Sequence, residues 1–148
     1  MIRAVLLSSI WAAIVIFMLF AMPSRAETLA GPFQARVLRV LDGDTFVAEI
    51  RLWFGQSVVE HVRIAGIDAP ESGRRARCEQ EAQSAQRSRQ YLAGLIGLQM
   101  VELGEVRREK YGRTLATVRV NGIEVAQRMT EMGYARSYSG NRRQDWCP

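Results

Sequence analysis

The stretch "VRIAGIDAPE", residues 62–71, decides the fold, because an apolar strand within it runs into two carboxylates. We predict a strand over residues 58–67, the third of a meander whose earlier strands are 33–40 and 46–54. The second strand has the period-two pattern of a half-buried strand, with one face formed by Phe46, Ala48, Ile50 and Leu52. The turn sequences "LDGDT" and "GQS" separate the three strands.

After this meander, the sequence becomes typical of an α-helix. Residues 79–96 are rich in Glu, Gln, Ala and Arg, and one helical face carries Ala82, Ala85, Leu92, Leu95 and Ile96. Two more strands are predicted at 98–106 and 114–120. A second helix follows the "NG" pair at 121–122, which ordinarily signals a hairpin, and ends near Gly133. The predicted fold is α+β and mainly β, a five-stranded OB-fold barrel with two to three helices.

The first 26 residues have the pattern of a secretory signal peptide. A basic start precedes an apolar run at residues 4–22 and a small-x-small ending, with the predicted cut after Ala26. The alternative is an uncleaved membrane anchor, because this run approaches the length that spans a bilayer. We expect residues 27–148 to form one domain that is secreted or periplasmic. If the N-terminal segment is not cleaved, we expect residues 4–22 to anchor this domain in a membrane.

The charge balance weakly favours a polyanionic partner. The formal net charge is +5, and it falls to +3 without Arg3 and Arg25 of the leader. Lys110 is the only lysine, so the basic residues are nearly all arginine, whose planar fork pairs bidentately with phosphate. A GC-rich genome explains the same bias.

The two cysteines, Cys78 and Cys147, are a candidate disulfide, since an even pair in an exported protein suggests a bond. In the chain-entropy model, this bridge is worth about 4 kcal/mol. The tail around Cys147, "RSYSGNRRQDWCP", is expected to be irregular. Trp53 and Phe54, at the end of the second strand, are expected to pack against the fold rather than stack on a ligand, and His61 is expected to be structural or exposed.

Three carboxylates are predicted to meet at one end of the meander. Asp42 and Asp44 flank the first turn, and Asp68 ends the third strand. Carboxylates gathered in this way need a cation, and oxygen ligands suit calcium or magnesium. Glu71 follows Pro70, which fixes the backbone there, and could take a proton from a water beside such a metal.

Two arginines complete the candidate site. Arg63 lies five residues before Asp68, so a regular strand would point the two side chains to opposite faces, and a bend near Gly66 is required to bring them together. Arg113 follows Gly112 in "EKYGRTLA", a loop that could hold a phosphate and stack on a base. Carboxylates with a metal, two arginines and a base are what phosphodiester hydrolysis needs.

The motifs "LDGDT", "VRIAGIDAPE" and "EKYGRTLA", in this order, resemble the staphylococcal nuclease (thermonuclease-like) family over residues 33–138. The resemblance implies an OB-fold and a calcium-dependent endonuclease that acts on single- and double-stranded DNA and on RNA. We expect a monomer with no obligate protein partner, and a membrane partner only if the leader is uncleaved. The alternative function is a non-catalytic OB-fold module that binds nucleic acid.

The resemblance also implies roles for single residues. The calcium ligands are Asp44, Asp68 and the backbone carbonyl of Ala69, with Asp42 acting indirectly through water. The catalytic residues are Arg63 and Arg113, which bind the phosphate, and Glu71, the proposed general base. The substrate-binding residues are Lys110, Tyr111 and Tyr138.

Overall fold

The computed structural model of the protein describes residues 27–109 and 111–148. The predicted signal segment and Lys110 therefore lie outside the described residues. Within these described residues the strands are β1 Thr28–Leu29, β2 Phe33–Val40, β3 Thr45–Trp53, β4 Gln56–Ile64, β5 Ile67–Asp68, β6 Met100–Arg108, β7 Thr114–Val120, β8 Ile123–Glu124 and β9 Arg136–Ser137. The same residues form the α-helices α1 Glu79–Ile96 and α2 Val125–Glu131, and a 3-10 turn covers Gly73–Arg75.

Five long strands close into a barrel. Strands β2, β3 and β4 form the predicted antiparallel meander. Strand β4 then pairs in parallel with β7, where Val62 faces Thr114, and β6 bridges β7 and β2. This mixed five-stranded barrel with two helices confirms the predicted OB-fold, α+β and mainly β.

Inward-facing apolar residues fill the barrel, and helix α1 covers it. The core includes Val37, Phe46, Val62 and Leu103, each almost fully buried. Leu92 and Ile96 of α1 pack onto this cluster, as the helical pattern predicts. The bounds of α1 and β7 match the sequence prediction.

The predicted packing of the second strand is wrong at its far end. Leu52, Trp53 and Phe54 are exposed, and the two aromatic rings contact each other edge to face with centroids 5.6 Å apart. These residues extend beyond the barrel in the β3–β4 hairpin, so the alternation continues where no core remains to cover it. Met132, which lies within the predicted second helix, is also exposed, and α2 ends one residue before it, at Glu131.

The strand predicted over residues 58–67 ends earlier, at Ile64, because the chain turns at Gly66. Gly66 has a φ of +82°, a conformation that side chains rarely allow. After this turn, β5 pairs with β9, and the backbone N–H of Tyr138 donates to the carbonyl of Gly66 at 2.8 Å. The predicted bend near Gly66 is confirmed, and it brings Asp68 beside Arg63.

A close approach to helix α1 fixes the turn between β2 and β3. A Cβ atom at Gly43 would lie 2.0 Å from Oγ of Ser88 and 2.7 Å from Cβ of Ala69. Ser88 is fully buried and donates a hydrogen bond to the carbonyl of Tyr134 at 2.7 Å. Only glycine therefore fits between the two aspartates of this turn.

The "NG" pair forms a hairpin and also leads into the second helix. Asn121 and Gly122 have φ values of 50° and 77°, as a type I′ turn requires. Strand β8 pairs with β7 for two residues, and α2 then begins at Val125.

Candidate active site

A single cleft of about 1310 Å³ collects the residues that the sequence singled out. It lies where the turn before β3, the segment after β4 and the loop before β7 meet. The predicted site residues that line it are Asp42, Asp44, Arg63, Asp68, Ala69, Glu71, Tyr111, Arg113 and Tyr138. Lys110, predicted beside them, lies outside the described residues.

Asp44 joins two loops beneath the cleft. Its side chain is almost fully buried, and its Oδ1 accepts a hydrogen bond from Oγ1 of Thr45 at 2.8 Å and forms an ion pair with Arg63. Its Oδ2 accepts the backbone N–H of Ala69 at 3.1 Å. This carboxylate therefore ties the β2–β3 turn to the segment that follows β5.

Asp68 is buried too, with one oxygen that hydrogen bonds leave unsatisfied. Its Oδ1 lies 2.6 Å from Nε of Arg143 and 3.7 Å from Nη2 of Arg63. Neither contact has the geometry of a hydrogen bond, and Oδ1 has no hydrogen-bond partner in the described part of the chain. Oδ2 accepts from Nε1 of Trp146 at 3.4 Å. A buried carboxylate oxygen of this kind is suited to a cation.

Asp42 adds a third negative group nearby. Its Oδ1 accepts the backbone N–H of Asp44 at 3.1 Å. Burial, followed by the charge of Asp44, raises the pKa of Asp42 from 3.8 to about 6. Within residues 27–109 and 111–148, however, no group of three or more His, Cys, Asp or Glu side chains is arranged to hold a metal ion.

Arg63 lies between the two buried aspartates. Besides its ion pairs with Asp44 and Asp68, its Nη2 donates to the carbonyl of Ile67 at 3.2 Å. Since the turn at Gly66 folds Ile67 back over β4, the same turn positions the acid and the arginine.

Arg113 lines the cleft from the loop that precedes β7. Two nitrogens of its guanidinium contact Glu109, at 2.7 and 2.9 Å. The hydrogen bond with Glu109 raises the pKa of Arg113 most, and the charges of Asp44 and Asp42 add to this effect. Glu109 was not predicted as a site residue, although its spacing of four from Arg113 is a recognisable pairing distance.

Glu71 is held in place by Glu81, a buried residue of α1 that was not predicted as part of the site. Glu81 is 3 % exposed, and its two oxygens accept the backbone N–H groups of Glu71 at 3.1 Å and of Arg77 at 2.7 Å. The side chain of Glu71 pairs with Arg75 at 3.2 Å and with Arg143. An acidic first turn of a helix is the sequence signal for Glu81, but the same pattern is typical of acids that only interact favourably with the helix dipole.

Arg143, which was placed in the irregular tail, is the unpredicted member of the site. Its Nη2 donates to the carbonyl of Ala69 at 2.9 Å, and its guanidinium also pairs with Asp68 and Glu71. Although burial opposes it, the hydrogen bond to Glu71 and the negative charges of Asp68 and Glu71 raise the pKa of Arg143. No local pattern marks this residue, because its contacts span more than seventy positions.

The candidate disulfide is present between Cys78 and Cys147, which confirms the predicted pairing. It joins the start of α1 to the tail four residues beyond Arg143. The two predicted tyrosines differ in position. Tyr111 is exposed at the rim, whereas Tyr138 is half-buried beside the turn at Gly66.

These donors fit a hard divalent cation. Asp44, Asp68 and the Ala69 carbonyl are oxygen ligands, the type that such a cation prefers, and each of them is paired with an arginine. The arginines on either side fit an anion. The cleft can therefore bring together a metal ion, a phosphate group and the carboxylate of Glu71.

Comparison with known proteins identifies relatives of the chain. The model of the family described as "Staphylococcal nuclease homologue" matches residues 61–146, a segment that includes Arg63, Asp68, Glu71, Arg113 and Arg143. The chain is 40% identical over 86 residues to a Micrococcal nuclease of Shigella flexneri, covering 58% of this chain and 42% of that protein. It is 37% identical over 117 residues to Protein ParB of Escherichia coli, covering 79% of this chain and 55% of the relative. The chain thus spans about half the length of these curated relatives.

Proposed function

The chain belongs to the staphylococcal nuclease homologue family, and from this premise we propose that it is an exported, calcium-dependent endonuclease acting on single- and double-stranded DNA and on RNA. The observation that carries the proposal is the cleft itself. Two buried aspartates, two arginines and a glutamate from distant parts of the sequence line one cavity. The named Micrococcal nuclease among the relatives supports the same reaction class.

We assign Asp44, Asp68 and the Ala69 carbonyl to a calcium ion, with Asp42 contributing indirectly through water. When bound, calcium would stabilise negative charge on the phosphate and favour ionisation of a water molecule. The surroundings of Asp68 support this assignment, since its buried Oδ1 lies 2.6 Å from the guanidinium of Arg143 and a calcium ion would supply the same positive charge.

Arg63 and Arg113 would bind the phosphodiester. Their planar guanidinium groups match phosphate oxygens and can follow the charge that grows on them in the transition state. Arg63 already pairs with Asp44, and Arg113 with Glu109, so both forks are oriented before substrate arrives. Lys110, Tyr111 and Tyr138 would contact the rest of the substrate, Tyr111 from its exposed position at the rim.

Glu71 would act as the general base. Its carboxylate lines the cleft, and the bond from its backbone N–H to Glu81 fixes its place. It would accept a proton from the attacking water as the water oxygen forms a bond to phosphorus. The 5′ P–O bond would then break, the departing 5′ oxygen would take up a proton from solvent water, and the products would be a 3′-phosphate and a 5′-hydroxyl.

Hydrolysis of a fluorescently labelled single-stranded DNA tests the proposal. The purified protein, its Glu71→Gln variant and a Glu131→Gln control are assayed with calcium chloride and then with excess EGTA. Glu131 is an exposed residue of α2 outside the cleft. We expect calcium-dependent cleavage that falls by about 10²–10⁴-fold in Glu71→Gln, the contribution typical of a general base, and that persists in Glu131→Gln.

The alternative, a binding module without catalysis, predicts a different result. DNA would bind with similar affinity to the wild type and to Glu71→Gln, and neither protein would cleave it with or without calcium. Cleavage that survives both EGTA and Glu71→Gln would place the reaction elsewhere in the chain.

Export rests on the apolar run at residues 4–22 and on the disulfide, which suits an oxidising compartment. In the described residues, no helix has the length and apolar character needed to cross a membrane. Cell fractionation and the N-terminal residue of the isolated protein test this part. We expect secreted or periplasmic material that begins at Glu27, whereas membrane-bound protein that retains Met1 would indicate an anchor.

A further inference from the structure

The end of the chain lies across the cleft. We call residues 138–148 the C-terminal strap. The disulfide between Cys78 and Cys147 fixes its far end to the start of helix α1. The guanidinium of Arg136 stacks on Trp146 at 3.9 Å and donates to the carbonyl of Asp145 at 2.8 Å. The strap is therefore held from both sides of the site.

One strap residue contacts several of the oxygen groups that matter for the proposed reaction. Arg143 donates to the carbonyl of Ala69 at 2.9 Å, lies 2.6 Å from Oδ1 of Asp68 and pairs with Oε1 of Glu71. The Ala69 carbonyl and Asp68 are assigned to calcium, and Glu71 is assigned to the attacking water. A single guanidinium thus contacts two proposed metal ligands and the proposed base.

We propose that the C-terminal strap is a built-in inhibitor, in which Arg143 competes with the metal ion for Asp68 and the Ala69 carbonyl. This inference rests on the proposed function. The docked guanidinium lies within 3 Å of the Ala69 carbonyl and of Oδ1 of Asp68, where a calcium ion would bind, and the two positive charges repel each other. The metal binds only when Arg143 leaves, so its apparent dissociation constant rises as the docked fraction of the strap grows.

The disulfide strengthens this competition. It holds the strap four residues beyond Arg143, and a tether of this length keeps the guanidinium at a high effective concentration beside the acids. The contact of Trp146 with Oδ2 of Asp68 at 3.4 Å adds a second anchor. A strap without its disulfide should therefore leave the cleft more often.

Calcium binding measured by titration calorimetry tests the proposal without relying on activity. Calcium chloride is titrated into the wild type, Arg143→Ala and the control Arg142→Ala. Arg142 is exposed on the same strap, and among the described residues its side chain forms no hydrogen bond or ion pair. If the strap is docked about 90% of the time, Arg143→Ala should bind calcium about tenfold more tightly, and Arg142→Ala should match the wild type.

Two further variants keep the test decisive if Arg143→Ala folds poorly. Arg143→Lys keeps the charge but loses the planar fork, so its calcium affinity should lie between those of the wild type and Arg143→Ala. The double variant Cys78→Ser/Cys147→Ser should also bind calcium more tightly than the wild type. Tryptophan fluorescence should change on calcium addition, and this change should be lost in Trp146→Phe.

The outcomes separate this proposal from the proposed function. Equal or weaker calcium binding by Arg143→Ala, with binding that Asp68→Asn abolishes, would overturn the inhibitory strap and leave the calcium site standing. Calcium binding by none of the proteins, Arg143→Ala included, would overturn the calcium site and the strap together.

Discussion

Replacing Gly43 by alanine should disturb the site more than any other single methyl group, because the turn that holds Asp42 and Asp44 has no room for it. The added Cβ would lie 2.0 Å from Oγ and 2.8 Å from Cβ of Ser88, and 2.7 Å from Cβ of Ala69. A Cβ atom closer than 3.0 Å to another heavy atom requires one of the two groups to shift. Rotation of the Ser88 hydroxyl relieves only the first of these three contacts, so the backbone of the turn must shift away from α1.

The expected cost is that of overpacking a core, about 1–3 kcal/mol. The shift also breaks the hydrogen bond from Ser88 to the Tyr134 carbonyl or displaces its partner, which adds about 1 kcal/mol. We therefore expect Gly43→Ala to lower the free energy of unfolding by about 2–4 kcal/mol. Calcium affinity should fall in parallel, since the Asp44 carboxylate moves with the turn.

Urea denaturation in EGTA measures the change in the free energy of unfolding. Titration calorimetry with calcium chloride measures the change in calcium affinity. Gly94→Ala is the matched control, because a Cβ at Gly94 meets nothing within 4 Å and the site is inside helix α1. It should stabilise the protein by about 0.5–1 kcal/mol. A Gly43→Ala protein with wild-type stability and calcium affinity would refute the claim that this close approach positions the aspartate.

Three other changes are predicted. Glu81→Ala should destabilise the protein by about 2–3 kcal/mol, measured by urea denaturation, because it removes the charged acceptor of the part-buried backbone N–H groups of Glu71 and Arg77. Glu81→Gln should cost less, and equal effects of the two substitutions would contradict this role. Arg113→Lys should lower kcat for DNA hydrolysis by about 10²–10³-fold with little change in Tm, since lysine keeps the charge but loses the planar fork that contacts Glu109. An unchanged kcat would exclude bidentate phosphate binding by Arg113. Calcium at 100 times its dissociation constant should stabilise the wild type by about 2.7 kcal/mol relative to EGTA, measured by a thermal shift assay. Asp68→Asn should abolish this gain. A Tm of the wild type that does not depend on calcium would argue against the calcium site.

The barrel could be predicted from the sequence because each strand and helix carries its own local pattern. The alternation in β3, the helical face of α1 and the glycine at position 66 each depend on neighbours a few residues away. The meeting of Arg63 and Asp68, five residues apart, could be predicted for the same reason, since it requires a turn between them and Gly66 supplies that turn.

The remaining parts of the site could not be predicted, because their signals are not local. Glu81 is an ordinary first-turn acid until the loop before α1 folds over it. Arg143 is one of many arginines in an unpatterned tail, and its role depends on where the disulfide places that tail. The prediction that Trp53 packs against the fold was wrong for a different reason. The local strand pattern continues to Trp53, but the core of the barrel ends before it.

The parallel pairing of β4 with β7 determines when the cleft can exist during folding. Arg63 is on β4, opposite Leu115, and Arg113 immediately precedes the residue that faces Val62, so this one seam brings the two arginines together. The seam joins positions about fifty residues apart, a contact of long range that forms slowly compared with a hairpin or a helix. A nascent or unfolded chain therefore carries every side chain of the site but has no phosphate-binding cleft, and any nuclease activity would arise only after the barrel has closed.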